Sequence, residues 1–176
     1  MDKARFWQLI EEAKAKSGGD CEAQAAALKS LLSPLQAEEL IAFERIFSEC
    51  RNAAYRWDLW GAAVMINGGS SDDGFEYFRW WLIGQGQAIF EGALADPDSL
   101  ADLLANSIDW GDAWLECESI AYVAMEVYEE KVGHEMPTEN VHVFADKPVG
   151  ERWEDDNLDA LFPKIAAKIK SQETMS

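Results

Sequence analysis

Apolar residues recur every three or four positions along most of this chain, while the two-residue alternation of a half-buried strand is almost absent. The first such stripe consists of Phe6, Leu9, Ile10 and Ala13. Because this spacing places apolar side chains on one face of a helix, it predicts a mostly helical protein. The predicted helices are Lys3–Lys16, Asp20–Leu32, Tyr55–Ile66 and Asp112–Lys131, with others that begin near Pro34, Asp72 and Pro97. A last helical region is predicted over Asp155–Lys170, with a break at Pro163.

Short polar signals predict where some of these helices begin. Ser33 is expected to cap the third helix, with Pro34 in its first position and Gln36 completing a capping box. Ser70 or Ser71 is expected to cap the fifth helix in the same way.

The chain shows no internal repeat and no linker rich in Gly, Ser or Pro. We therefore expect a single compact helical domain over residues 1–170, followed by a flexible polar tail over residues 171–176. At most one short strand or hairpin is expected, near residues 141–144.

Five of the seven residues in 75–81 are aromatic, and this run follows two adjacent aspartates. Aromatic residues at helical spacing usually belong to a core, which is the interpretation favoured here. Asp72 and Asp73 suit the first turn of a helix, where carboxylates complement exposed backbone N–H groups. With Glu76, the same residues offer an alternative as oxygen ligands for a divalent cation.

Negative charge is concentrated in the middle of the chain. The net charge is -18, and residues 57–130 hold 15 acidic residues and one basic residue, Arg79. Such a field repels phosphate backbones, which disfavours nucleic-acid binding, and it attracts basic proteins. A solvated surface that only maintains solubility is the competing interpretation.

Cys21, Cys50 and Cys117 are odd in number, widely spaced and in no CxxC pair. The spacing argues against a disulfide framework or a structural zinc site and favours buried free thiols. No segment resembles a signal peptide or a membrane span, so a cytoplasmic location is expected.

No catalytic signature is present, and no catalytic, metal-ligating or cofactor-binding residue is assigned. The chain has two histidines and lacks a GxSxG motif, and GQGQAI at 84–89 lacks the third glycine of a dinucleotide fingerprint. Catalysis by carboxylates alone stays open. Its candidates are Asp72, Asp73, Asp109, Asp112 and Glu116, with Trp110 and Trp114 as an apolar wall.

The segments WDLWGA, SDDGF, FRWWLI and DPDSL, in that order, together with ARFWQLIEEA and PVGERWEDDNLDALFPKI, resemble the bacterial family DUF4240, a domain of unknown function. The resemblance covers nearly the whole chain. It implies a compact bacterial domain, and it implies no activity.

The favoured function is an acidic cytoplasmic protein–protein interaction module that binds a basic protein partner, with immunity proteins that neutralise basic toxins as the leading class. The alternatives are a divalent-metal-dependent enzyme that uses clustered carboxylates, and an accessory domain that binds a small ligand between Trp57, Trp60, Tyr77 and Trp81. The predicted partner-binding residues are Asp72, Asp73, Glu76, Asp109, Trp110, Asp112, Trp114, Glu116 and Glu118.

Overall fold

A computed structural model describes residues 1–105, 115–139, 141–142 and 145–173. Nine α-helices occur in these ranges: α1 Lys3–Ser17, α2 Cys21–Leu32, α3 Ala37–Ala53, α4 Trp57–Asn67, α5 Asp72–Gly84, α6 Gln87–Ala95, α7 Val123–Val132, α8 Leu158–Leu161 and α9 Pro163–Glu173. Short 3-10 helices span Pro97–Ala105, Ser119–Ala121 and Asp155–Asn157. The described residues form no β-strand, so the mostly helical fold class is confirmed.

Most predicted helix ends are confirmed by their capping residues. Asp2 caps α1 by accepting a hydrogen bond from the N–H of Arg5, and Gly18 ends that helix in the left-handed conformation. Ser71 caps α5, and Gly68 ends α4 with a φ of 66°. These boundaries follow from local residues alone.

Two predicted boundaries are wrong. α3 begins at Ala37, because Gln36 and Glu39 form the capping box there and Ser33 does not open the helix. The predicted start of the long helix Asp112–Lys131 is also wrong, because the α-helix of this region, α7, begins only at Val123. Its residues 112–114, and Val143 and Phe144 of the predicted strand, lie outside the described residues.

The aromatic run of α5 lies largely in the core, as predicted. Phe75 and Phe78 are fully buried and pack with Phe6 of α1 and Phe43 of α3 in one hydrophobic cluster. Trp60 stacks on Phe75, with 4.8 Å between ring centroids. These helices converge because each places its large apolar side chains on one face.

The rings proposed to line a ligand cavity are in contact with other aromatic rings of the protein. Trp57 stacks on Trp60 with 5.1 Å between centroids. Tyr77 packs on Trp80, and Trp81 packs on Phe78. These ring-on-ring contacts account for all four side chains as packing, which is the interpretation that the sequence favours for aromatic residues at helical spacing.

The chain after α7 returns to cover α4. The N–H of Trp57 donates to the carbonyl of Val149 at 3.0 Å, and the N–H of Val149 donates to Tyr55 at 2.9 Å. Further along, α8 and α9 pack beside α4, with Phe162 and Ile165 buried. α9 continues to Glu173, three residues into the segment expected to be a tail.

Glu44 of α3 is a buried carboxylate that contacts His142, with 3.1 Å between its Oε1 and the ring Nε2. Burial is the dominant effect on Glu44 and raises its pKa, while the contact with His142 opposes the rise. The protonated form is therefore favoured in the folded protein relative to the unfolded chain.

Replacing Glu44 with glutamine is expected to flatten the pH dependence of stability. A raised pKa contributes stability below the unfolded-state pKa, and this contribution is lost as pH rises through the folded-state pKa. Urea unfolding between about pH 4 and pH 7 should therefore show that wild type loses stability relative to Glu44→Gln as pH rises. The exposed Glu49→Gln variant is the control. Parallel profiles for wild type and Glu44→Gln would contradict this assignment.

Candidate acidic interaction surface

The candidate site forms around the first turns of α5. The hydroxyl of Ser71 accepts a hydrogen bond from the N–H of Gly74 at 3.1 Å, and Asp72 and Asp73 follow it on the exposed side. Both aspartates thus occupy the helix start that the sequence predicts, where they complement the free N–H groups of the first turn.

Residues 115–118 lie against this part of α5. The N–H of Cys117 donates to the carbonyl of Tyr77 at 3.1 Å, and the N–H of Leu115 donates to Oδ1 of Asn67 at 3.0 Å. Because these donors are satisfied by α4 and α5, the segment is not helical, although its sequence matched a helix. Glu116 is thereby held over Gly74 in the first turn of α5, and Glu118 near Tyr77 one turn later.

Cys117 is also joined to Cys21 by a disulfide that spans 96 residues of sequence. The expectation of three free thiols is therefore wrong for two of them, and it is confirmed for Cys50, which is free and buried. The spacing of Cys21 and Cys117 carries no signal for pairing. Only the packing of α2 against residues 117–121 brings them together.

Glu116 approaches α5 over Gly74. A Cβ atom at position 74 would lie 3.0 Å from Oε1 of Glu116, so the glycine makes room for this carboxylate. The same oxygen is buried and has no hydrogen-bond partner among the described residues. Burial raises the pKa of Glu116, because the charged form has lost part of its hydration.

Glu118 lies near the hydroxyl groups of Tyr77 and Tyr122, and its charge acts on both. The negative charge of Glu118 is the main cause that raises the pKa of Tyr77, with burial second and Asp73 third. Burial is the main cause for Tyr122, with the charge of Glu118 next. Glu118 and Asp73 both act on Tyr77, so both lie near this side chain. We define Asp72, Asp73, Glu116, Glu118, Tyr77 and Tyr122 as the acidic surface.

Glu76 behaves differently from these carboxylates because it is paired. Its Oε1 lies 3.7 Å from Arg51 Nη1 and 3.9 Å from Arg79 Nη2. The side chain of Arg79 is 10% exposed, and its guanidinium lies over the ring of Tyr55 at 4.6 Å. Burial lowers the pKa of Arg79 to about 10. The single basic residue of the acidic stretch is therefore inside the protein.

The remaining acidic residues of the stretch do not all join this surface. Asp58 pairs with Arg56 at 2.6 Å, and Asp96 pairs with Lys164 at 3.3 Å. Glu126 and Glu130 both contact Lys29. The acidic residues of the stretch are therefore not gathered in one unpaired group, since these four each contact a lysine or arginine. Asp109, Trp110, Asp112 and Trp114 lie outside the described residues.

A groove of about 420 Å³ extends the acidic surface toward α2. Its walls carry Glu22 and Lys29 of α2 on one side and Glu118, Tyr122 and Glu126 on the other. The hydroxyl of Ser119 donates a hydrogen bond to Glu22 across it. Glu22 is a site residue that the sequence did not indicate, since it precedes the acidic stretch by 35 positions.

Metal ligation finds no support in the described ranges, which contain no group of three His, Cys, Asp or Glu residues positioned around a common point. Asp72 and Asp73 serve the helix start, and Glu76 faces two arginines. The acidic surface can therefore offer a ligand negative charge beside the rings of Tyr77 and Tyr122.

Comparison with known proteins identifies a family and gives no activity. No curated protein and no solved structure matches the chain. Within the described ranges, no helix has the length and apolar character needed to cross a membrane. The model of DUF4240, described as a protein of unknown function, matches residues 1–130, so the late segment that had resembled the family lies outside the match. The chain belongs to the DUF4240 family.

Proposed function

We propose that this protein is an interaction module whose acidic surface binds a basic protein partner. The observation that carries the proposal is that four carboxylates lie along the first turns of α5: Asp72 and Asp73 in its first turn, Glu116 over Gly74 and Glu118 near Tyr77. None of the four forms an ion pair with a described residue. Lysine or arginine side chains of a partner would supply the missing cations.

The tyrosines beside these carboxylates favour a protein as the partner. Tyr122 is 42% exposed, which is unusual for a large ring in a chain that buries most of its aromatic residues. Tyrosine combines apolar contact area with a hydrogen-bonding hydroxyl and is enriched at the centres of protein interfaces. Tyr77 and Tyr122 would flank a basic side chain that reaches Glu118.

The immunity-protein class is the more specific form of this proposal. It is supported by the small size of the chain and its net charge of -18, because a small acidic protein is suited to bind and neutralise a basic toxin. A cytoplasmic location and a bacterial source remain predictions that accompany it.

Converting Asp72, Asp73 and Glu118 to the corresponding amides is expected to weaken binding of a synthetic lysine- and arginine-rich peptide by at least about tenfold. The amides keep side-chain size and remove charge, so the loss should shrink between about 50 mM and 500 mM NaCl. Isothermal titration calorimetry or fluorescence anisotropy with the labelled peptide measures both effects.

The matched control converts Glu129, Glu135 and Glu151 to glutamine. These residues are exposed and form no ion pair with a described residue, so the control removes the same formal charge elsewhere on the chain. Equal weakening by the two triple variants would show that net charge alone attracts the peptide. That outcome would overturn the proposed surface.

A further inference from the structure

The Cys21–Cys117 disulfide lies at the base of the acidic surface. Cys21 is the first residue of α2 and Cys117 lies in the segment beside α5, so the bond joins two separate parts of the fold. The residue after each cysteine, Glu22 and Glu118, lines the same groove. The disulfide therefore sets the position of Glu118, which the proposed function uses, relative to Glu22 on the other wall of the groove.

Few other bonds hold the segment in place. Apart from the disulfide, the described backbone bonds from residues 115–118 to the helices beside them are Leu115 to Asn67 and Cys117 to Tyr77. The Ser119–Glu22 hydrogen bond crosses to α2, but it connects two surface side chains. Apolar packing of Leu115, Ile120 and Ala121 supplies the rest of the attachment. A segment with so few hydrogen bonds opens at lower free energy than a packed helix, and the disulfide adds a covalent restraint to this packing.

We infer that the Cys21–Cys117 disulfide is a redox-sensitive clasp that holds residues 115–122 against α2 and so maintains the acidic surface. The regulatory part of this inference rests on the proposed function, whereas the clasp itself does not. In its oxidised form the clasp keeps Glu118 near Glu22 and Tyr77. Reduction releases the segment and disperses these groups.

The reaction is thiol–disulfide exchange with a small thiol. Cys21 is partly exposed and Cys117 is 4% exposed, so the thiolate attacks the Sγ of Cys21 and Cys117 leaves as a thiolate. A second small thiol then attacks the mixed disulfide and releases Cys21. Two thiols thus give two electrons and two protons to the protein and become one small-molecule disulfide. In a reducing compartment, protein disulfides are usually transient and redox-responsive, which suits this role.

Hydrogen exchange on the full chain tests the clasp directly. Protein oxidised with glutathione disulfide should expose one alkylatable thiol on denaturation, from Cys50, and protein reduced with dithiothreitol should expose three. On reduction, amides of residues 115–122 should exchange at least about tenfold faster, while amides of α3 change little under native conditions. The Cys21→Ser/Cys117→Ser variant should match the reduced protein without reductant. The Cys50→Ser variant should keep the redox response.

The possible outcomes separate the clasp from the function. Three free thiols after oxidation, or equal acceleration of amides throughout the chain, would overturn the clasp. Local acceleration with weaker binding of the lysine- and arginine-rich peptide supports both the clasp and its control of the surface. Local acceleration with unchanged peptide binding overturns the regulatory part. Local acceleration without peptide binding in either state supports the clasp and counts against the proposed function.

Discussion

Replacing Asp98 with alanine is expected to destabilise the protein by about 3 kcal/mol. Asp98 is 5% exposed and lies in the 3-10 helix Pro97–Ala105, yet its carboxylate caps a different helix. It accepts hydrogen bonds from the N–H of Lys164 at 3.0 Å and of Ile165 at 2.9 Å, at the start of α9. Alanine would leave these donors without their acceptor and remove a negative charge from the positive end of the helix.

Urea unfolding followed by circular dichroism measures the effect, and two variants on the same 3-10 helix provide its controls. Asp98→Asn keeps one acceptor oxygen and should cost less than alanine. Asp102→Ala changes an exposed aspartate and should alter the free energy of unfolding by less than about 0.5 kcal/mol. If Asp98→Ala is no more destabilising than Asp102→Ala, the carboxylate does not cap α9 in solution.

Replacing Gly61 with alanine is expected to destabilise the protein by about 1–2 kcal/mol, although alanine is the better helix former by about 1 kcal/mol. A Cβ at position 61 would lie 2.6 Å from Cδ1 of Trp153 and 3.0 Å from Cε2 of Phe162. The indole packs directly on the backbone of α4, so the added methyl must displace it. Thermal and urea unfolding measure the loss.

A double-mutant cycle with Trp153→Ala isolates this contact. Once the indole is removed, the remaining obstacle to the methyl group is Phe162, and Gly61→Ala should become close to neutral. The cycle should therefore give a coupling energy of about 1 kcal/mol or more. A cost for Gly61→Ala that is the same with and without the indole would show that Trp153 does not rest on α4.

Both predictions concern contacts between the part of the chain that matches the family model, which ends at residue 130, and the part that follows it. Asp98 and Gly61 belong to the matched part, whereas Lys164, Ile165 and Trp153 follow it. Ile165 is fully buried in the same core as the residues of α4 and α5. In this chain, the segment after the matched domain thus completes the hydrophobic core and does not form an appendage.

Local signals in the sequence account for most helices and for much of the core. Ser71 caps α5 and Gly68 ends α4 because capping depends on one side chain or one backbone conformation, and both are properties of nearby residues. Phe75 and Phe78 are buried because their spacing gives α5 an apolar face. Asp72 and Asp73 were placed correctly at the helix start for the same local reason.

Long-range contacts explain what the sequence missed. The pattern from residue 112 onward favoured a helix, but Cys117 bonds to Tyr77 and Cys21 instead, and these partners lie 40 and 96 positions away. Asp98 follows Pro97 at the start of the 3-10 helix Pro97–Ala105, which is a typical position for an acidic residue. Its carboxylate nevertheless caps a different helix, α9. Arg79 lies on the charged face of α5 by periodicity, but Tyr55, Phe75 and Arg51 enclose it.

The sequence by itself therefore determined that this chain is helical, where most helices end, which face of α5 is buried and how strongly acidic its middle is. Each of these properties depends on residue type and on spacing within a few helical turns. Only the tertiary structure decided which carboxylates share a surface, which cysteines pair and which charges are buried. Those outcomes depend on how separate helices pack, because charge and disulfide interactions act through space between residues that can be far apart along the chain.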